Sequence, residues 1–256
     1  MGEDAPRRRT HQDADRARFV LRSLFRHLRR QLESAAPRRT TTRSAWVGYM
    51  DANRYSEGGF AAKRDFVAQA VDELRPGRVL DVGCNTGFFS VLAAGKGASV
   101  VAIDNDADVV GKAYAAAVKS DLDVLALVVD IGRPSPALGW RNAEQPSFLA
   151  RARGQFDLVL ALAVLHHLLV TDGIPLGEVL SLLAELTRDA VLVEFVPPAD
   201  PMFRRLARGR DPLHAKLTRE VFEEACARHF CVSKTVSLPD GSRRLYLLRK
   251  KETPPR

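Results

Sequence analysis

The stretch Val79-Leu80-Asp81-Val82-Gly83-Cys84-Asn85-Thr86-Gly87-Phe88-Phe89-Ser90 is the most informative in this chain. It begins as a short apolar run of the kind that forms a buried strand, passes through a tight turn, and continues as a helix over 89–94. Gly83 and Gly87 lack a Cβ, so the backbone between them can turn sharply and approach a ligand closely. The spacing is Gly-x-Asn-x-Gly, which departs from the Gly-x-Gly-x-x-Gly of a pyrophosphate-binding turn. A turn without a ligand accounts for one of the glycines, less readily for both together with Asp81 and Asn85.

The pattern alternates from there. Strand-like segments follow over 99–103, 124–129, 156–162 and 190–196, with helical spacing at 109–118 and 176–186. Such alternation implies an α/β fold: a Rossmann-like, mostly parallel sheet with helices on both faces. A helix over 218–228 and two strand-like segments around Asp240-Gly241 then give a hairpin signal, adding an antiparallel edge. Asp104 ends the second strand, 21 residues beyond Gly83, and Asp130 ends the third. The carboxyl ends of successive parallel strands line one crevice, where such groups can accept from ribose hydroxyls and from the exocyclic amine of adenine. One Asp at a strand end is more often a turn former or helix cap. Three in succession, Asp81, Asp104 and Asp130, point to an adenosine-type ligand.

The length of 256 residues suits one large domain, or one domain with an appendage. No apolar run approaches a membrane span, and charges stand where a signal peptide needs its apolar segment, so a cytoplasmic protein without a membrane partner is expected. Cys84, Cys226 and Cys231 have no metal-ligand spacing, and no metal is expected. The net charge of +8 is uneven: residues 1–43 hold 12 Arg and 5 acidic residues, whereas the rest carries 27 basic and 26 acidic residues. Residues 1–44 read as a basic arm, disordered over 1–13, with an amphipathic helix over 19–32 and a linker at 40–44; residues 45–256 read as the main domain. The arm could bind phosphate, as in RNA. A solvated tail leading into a helix is the plainer reading.

With these residues in place, the chain resembles the class I S-adenosylmethionine-dependent methyltransferases. The matching positions are Asp81 to Gly87, Ile103-Asp104, Val129-Asp130 and Phe156 to Leu162, and the likeness covers about 60–250. Looser matches at 46–63, 135–142 and 193–197 resemble a bacterial nodulation-protein-like subgroup. Asn85 departs from the middle glycine common in the family. The resemblance implies a seven-stranded sheet closed by the antiparallel pair, and S-adenosylmethionine as cofactor. It further implies that Gly83, Asn85 and Gly87 cradle the methionine part, with Asp81 near its amino group. Asp104 would hold the ribose with Asn105 beside it, Asp130 and the Ile131 backbone the adenine, and Leu162 would sit near the cofactor.

Methyl transfer to oxygen or nitrogen can need a base. His166 and His167 follow strand four, and Glu194 lies near the end of strand five, so these three are the catalytic candidates. The plain alternatives are a His that only braces the loop and a buried Glu that hydrogen-bonds substrate or pairs with Arg. Trp46, Tyr49 and Tyr55, with Lys63 as a contact for a carboxylate, are one candidate acceptor pocket. Trp140 and Arg141, in the long connection after strand three, are another. A packed aromatic cover and a rigid insertion are the plain alternatives. The expected activity is methyl transfer to a small molecule, with two rivals: an RNA methyltransferase using the basic arm, and a non-catalytic cofactor-binding scaffold. The oligomeric state is not legible.

Overall fold

A computed structural model describes residues 14–34, 57–239 and 242–251. The expected disorder at 1–13, the linker at 40–44, Trp46, Tyr49, Tyr55 and the Asp240-Gly241 turn lie outside the described residues. The chain divides into two compact units, 1–43 and 44–256. The first contains helix α1 (Ala14–Ser34).

The second unit runs α2 (Glu57–Leu74), β1 (Arg78–Val82), α3 (Phe88–Gly95), β2 (Ser99–Asp104), α4 (Ala107–Lys119) and β3 (Val124–Val128). After a 3₁₀ turn at Trp140–Asn142 come α5 (Phe148–Ala152), β4 (Phe156–Ala161), α6 (Leu165–Val170), α7 (Leu176–Leu186) and β5 (Thr187–Phe195). The chain continues with α8 (Pro201–Ala207), α9 (Asp211–His214), α10 (Arg219–Cys226), β6 (Phe230–Ser237) and β7 (Arg244–Lys250). The seven strands form one sheet in the order β3-β2-β1-β4-β5-β7-β6. Strands β1 to β5 pair in parallel, and β7 lies antiparallel between β5 and β6.

Strand periodicity divides the core between the faces of this sheet. Val159, Ala161, Val191, Val193, Tyr246 and Leu248 share one cluster with residues of α6, α7, α8 and α10. Leu158, Leu160, Ala190, Leu192, Leu245 and Leu247 share the other with α2 and α3. Both faces are covered, so β4 apart from Asp157 and the middle of β5, residues 190–193, are apolar. Each fully buried Val or Leu contributes roughly 1.5–3 kcal/mol. Several helices start on side-chain caps: Asp106 accepts from the Asp108 N–H, Asp200 from Met202 and Thr218 from Val221.

Register aligns the strand ends. Asp81 pairs with Ala102 on one side and Leu160 on the other, and Asp104 pairs with Val128. The three carboxylates thereby reach the same rim, and β1 occupies the position from which strand order runs in opposite directions. That is where an open α/β sheet leaves a crevice.

Candidate active site

The crevice is a cavity of about 690 Å³. The turn after β1 forms its floor. Gly83 and Cys84 both donate their N–H to the Ile103 carbonyl at 2.9 Å, which bends the chain away from the sheet. Gly83 has φ +71°, and a Cβ there would meet Val164 at 3.1 Å. Asn85 has φ +50°, so its place in the turn has a backbone reason: asparagine tolerates the left-handed region better than most residues. Its Oδ1 accepts the Thr86 N–H at 2.7 Å, while its own N–H donates to Asp104 Oδ2 at 3.0 Å. Gly87 precedes α3 at φ +83°, where a Cβ would stand 2.7 Å from that of Ala113. It does not line the cavity; it allows α3 and α4 to close behind the turn.

Asp81, Gly83, Asn85, Asp104, Asn105, Asp130, Ile131, Leu162, Lys63 and His167 all line the cavity. Asp81 is buried and accepts from the Ser90 hydroxyl at 2.6 Å. Burial pushes its carboxyl up to about 6, with Asp104 adding to the rise and Ser90 and Lys63 opposing it. Burial also raises Asp104, although Asp106 and Asn85 donate backbone N–H groups to it. Each ionised oxygen keeps a further lone pair for a ligand hydroxyl. Asp130 builds its own turn: Oδ1 accepts from the Gly132 N–H at 2.9 Å and the Arg133 N–H at 3.3 Å. The Arg133 guanidinium bridges Asp130 and Asp172 at 3.4 and 3.3 Å. Cys84 also lines the cavity, but burial raises its thiol and keeps it protonated.

These residues fit the cofactor that the turn implies. Carboxylates stand at the two ends of β1 and β2 that face the cavity, and Ile103, Val129, Ile131 and Leu162 supply apolar wall between them. That arrangement suits a polar sugar joined to a flat base.

On the other side Phe60, Phe88 and Phe89 form an aromatic cluster, with Phe60 and Phe88 edge-on at 5.0 Å. Sequence reasoning missed these three and Arg64; the phenylalanines sit in the first turns of α2 and α3 and Arg64 one turn further along α2, and only the approach of α2 to α3 brings them together. The turn from β4 into α6 passes through Ala163 at φ +54°, a non-glycine residue in the left-handed region beside the cavity. Strain of this kind gathers at functional sites.

The three catalytic candidates have different surroundings. His167 lines the cavity, and burial with the Arg243 charge holds its ring down at about 4, so it is neutral at pH 7. His166 does not line it. It is buried, with neither ring nitrogen partnered among the described residues, and burial keeps it well below the usual histidine range. Glu194 is fully buried and off the cavity lining; Oε2 accepts from Lys63 Nζ at 2.6 Å and Oε1 meets Arg243 at 3.4 Å. Arg243 continues to Asp200 at 2.8 Å. Burial opposes ionisation of Asp200, but the Arg243 hydrogen bond and charge hold its carboxyl below the ordinary value. Lys63 thus enters the cavity wall as the end of a buried charge chain rather than as a surface lysine. Trp140 and Arg141 are exposed on the 3₁₀ turn, Trp140 to 77%, and are not brought to the cavity.

Comparison with known proteins agrees with this geometry. The chain matches a methyltransferase-domain family over residues 53–231. It is 32% identical over 210 residues to nodulation protein NoeA of Rhizobium meliloti (strain 1021), covering 82% of this chain and 44% of that protein. It is 31% identical over 169 residues to the O-antigen chain terminator bifunctional methyltransferase/kinase WbdD of Escherichia coli, covering 64% of this chain and 21% of that protein. The chain therefore spans less than half the length of these relatives. Among solved structures, the N-methyltransferase NodS of Bradyrhizobium japonicum WM9 matches with a TM-score of 0.56 at 14% identity, over 77% of this chain and 99% of that one. Magnesium protoporphyrin IX methyltransferase of Synechocystis PCC 6803 with bound SAH matches with a TM-score of 0.53 at 22% identity, over 75% and 84%. At those identities the structures support the fold, and the family match carries the rest. The chain belongs to the methyltransferase-domain family, as a class I methyltransferase with S-adenosylmethionine as its cofactor.

Proposed function

We propose that this protein transfers the methyl group of S-adenosylmethionine to an oxygen or nitrogen atom of a small-molecule acceptor. The observation that carries the reading is the continuity of one cavity, from the three strand-end carboxylates to the aromatic wall and the neutral ring of His167. Its volume lies within the range of small-ligand pockets, and an aromatic wall suits a compact organic acceptor.

When bound, S-adenosylmethionine supplies a methyl carbon already activated by its sulfonium. The protein's task is then mostly alignment, an effect that can amount to roughly 7–11 kcal/mol. Asp104 with Asn105 would hold the ribose, Asp130 and the Ile131 backbone the adenine edge, and Asp81 the methionine ammonium. Gly83 and Asn85 provide the close backbone approach, and Gly87 supports it from behind. Leu162, on the cavity lining, would pack beside the cofactor.

Asp81 gives this assignment a pH signature. An ionised carboxylate binds an ammonium, and this one takes up its proton near 6 in the free protein. Cofactor affinity is expected to be level just above neutrality and to fall by up to about tenfold per unit below pH 6. Asp81→Asn should bind weakly and lose the step. Calorimetric titration between pH 5 and about 8 measures both.

His167 is suited to a late proton transfer. Taking a proton from a phenol-like acceptor of pKa about 10 before methylation is uphill by roughly 8 kcal/mol for a ring that titrates near 4. Methylation makes the acceptor atom strongly acidic, so an imidazole nitrogen of His167 can take the proton as the new bond forms. His167→Ala is expected to lower kcat by about 100-fold with KM and cofactor affinity changed only slightly.

The test of the function is a screen of small hydroxyl- and amine-bearing compounds with methyl-labelled donor. Label appearing in a compound, and lost in His167→Ala, supports the reading. Label entering only RNA, or none entering anything despite cofactor binding, overturns it.

A further inference from the structure

Helix α1 carries a pattern that methyl transfer does not use. Over its 21 residues it rises about 31 Å. At 100° per residue, Val20, Leu21, Leu24, Phe25, Leu28 and Leu32 fall within an arc of about 140°. All six are exposed in this unit, Phe25 to 65% and Leu32 to 73%. Arginines 16, 18, 22, 26, 29 and 30 occupy the rest of the circumference, against only Asp15 and Glu33 as acids. Phe19 alone of the large apolar residues lies outside the arc.

We propose that α1 is an in-plane anchor for an anionic lipid bilayer, its apolar arc entering the headgroup–acyl boundary while its arginines meet lipid phosphates. Both halves of the pattern are needed for this partner. A nucleic acid would satisfy the arginines and leave six large apolar side chains in water. A second copy of the helix would cover the apolar arc but bring two arginine-lined flanks together. An anionic membrane surface answers the stripe and the charge at once, and long arginine side chains can reach the phosphates while their stems cover apolar surface. No described helix is long and apolar enough to cross a membrane. That finding concerns spanning and leaves attachment to a surface open, and the proposal departs here from the expectation of no membrane partner.

The experiment is flotation of the full chain with vesicles of phosphatidylcholine alone, and of phosphatidylcholine with phosphatidylglycerol in a ratio of roughly 7:3. The protein is expected to float with the mixed vesicles, to do so less at high salt, and to stay behind with the neutral ones. Leu24→Glu/Leu28→Glu removes the apolar arc and keeps every arginine. Arg22→Gln/Arg26→Gln/Arg29→Gln lowers the charge and keeps the arc. Each is expected to weaken vesicle binding on the order of 100-fold. Unchanged calorimetric cofactor binding in both variants establishes that the methyltransferase unit is intact. Absence of flotation with the mixed vesicles overturns the proposal. So does binding to RNA in place of vesicles that survives Leu24→Glu/Leu28→Glu, which assigns the helix to nucleic acid. A dimer abolished by that variant, with no flotation, assigns it to a second copy and overturns the proposal equally.

Discussion

Asp104→Ala will weaken S-adenosylmethionine binding by at least about 100-fold while the protein stays folded. The carboxylate stands at the end of β2 on the cavity wall, and the proposed contact is a pair of charge-assisted hydrogen bonds to the ribose, each contributing about 1.5–3 kcal/mol. The same oxygens accept the N–H groups of Asn85 and Asp106 at 3.0 Å, so the substitution also loosens the glycine turn. Asp104→Asn separates the effects, because it keeps one acceptor oxygen for the turn and removes the charge. It is expected to bind cofactor with intermediate affinity. Calorimetry with a parallel thermal melt reads both. Wild-type affinity in a folded Asp104→Ala protein would remove the ribose assignment.

Glu194→Ala will cost about 3–5 kcal/mol of stability, because it removes the anion shared by the buried Lys63 and the partly buried Arg243. Lys63 is 2.6 Å from one carboxylate oxygen and Arg243 is 3.4 Å from the other. The chain they form ties α2 to β5 and to the segment before β7. Urea denaturation measures the loss. Because each single substitution removes one half of the same buried ion pair, Lys63→Ala/Glu194→Ala should lose clearly less than the sum of the two singles. A Glu194 that served as a proton acceptor would behave otherwise: turnover would collapse while the denaturation midpoint hardly moved. The geometry favours the first outcome, since both oxygens are engaged by cations and neither lines the cavity.

Much of this architecture was legible from local pattern. Buried parallel strands such as 79–82 and 156–160 are mostly apolar, and Asp81, Asp104 and Asp130 stand at or just past the carboxyl ends of β1, β2 and β3. Signals failed where two structures share one composition. The run from Phe156 to Leu169 reads as a strand followed by a loop, yet the chain turns at Ala163 and forms α6, so His166 and His167 sit on a helix and point differently. Pro201 and Pro212 occupy the first turns of α8 and α9, where a missing N–H costs nothing. The acceptor side was hardest to see. Phe60 and Arg64 have no distinguishing neighbours in sequence, and their meeting with Phe88 depends on how α2 packs over α3. Trp140 and Arg141 drew attention for the opposite reason, being distinctive residues in a long connection that the fold leaves on the surface.

The central claim is that the strand-end cavity holds S-adenosylmethionine, and calorimetric titration of the purified full chain tests it most directly. S-adenosylmethionine and S-adenosylhomocysteine are each expected to bind once per chain in the micromolar range, and NAD not to bind. Folded protein that binds neither methyl donor nor its product, or that binds NAD instead, would contradict the account.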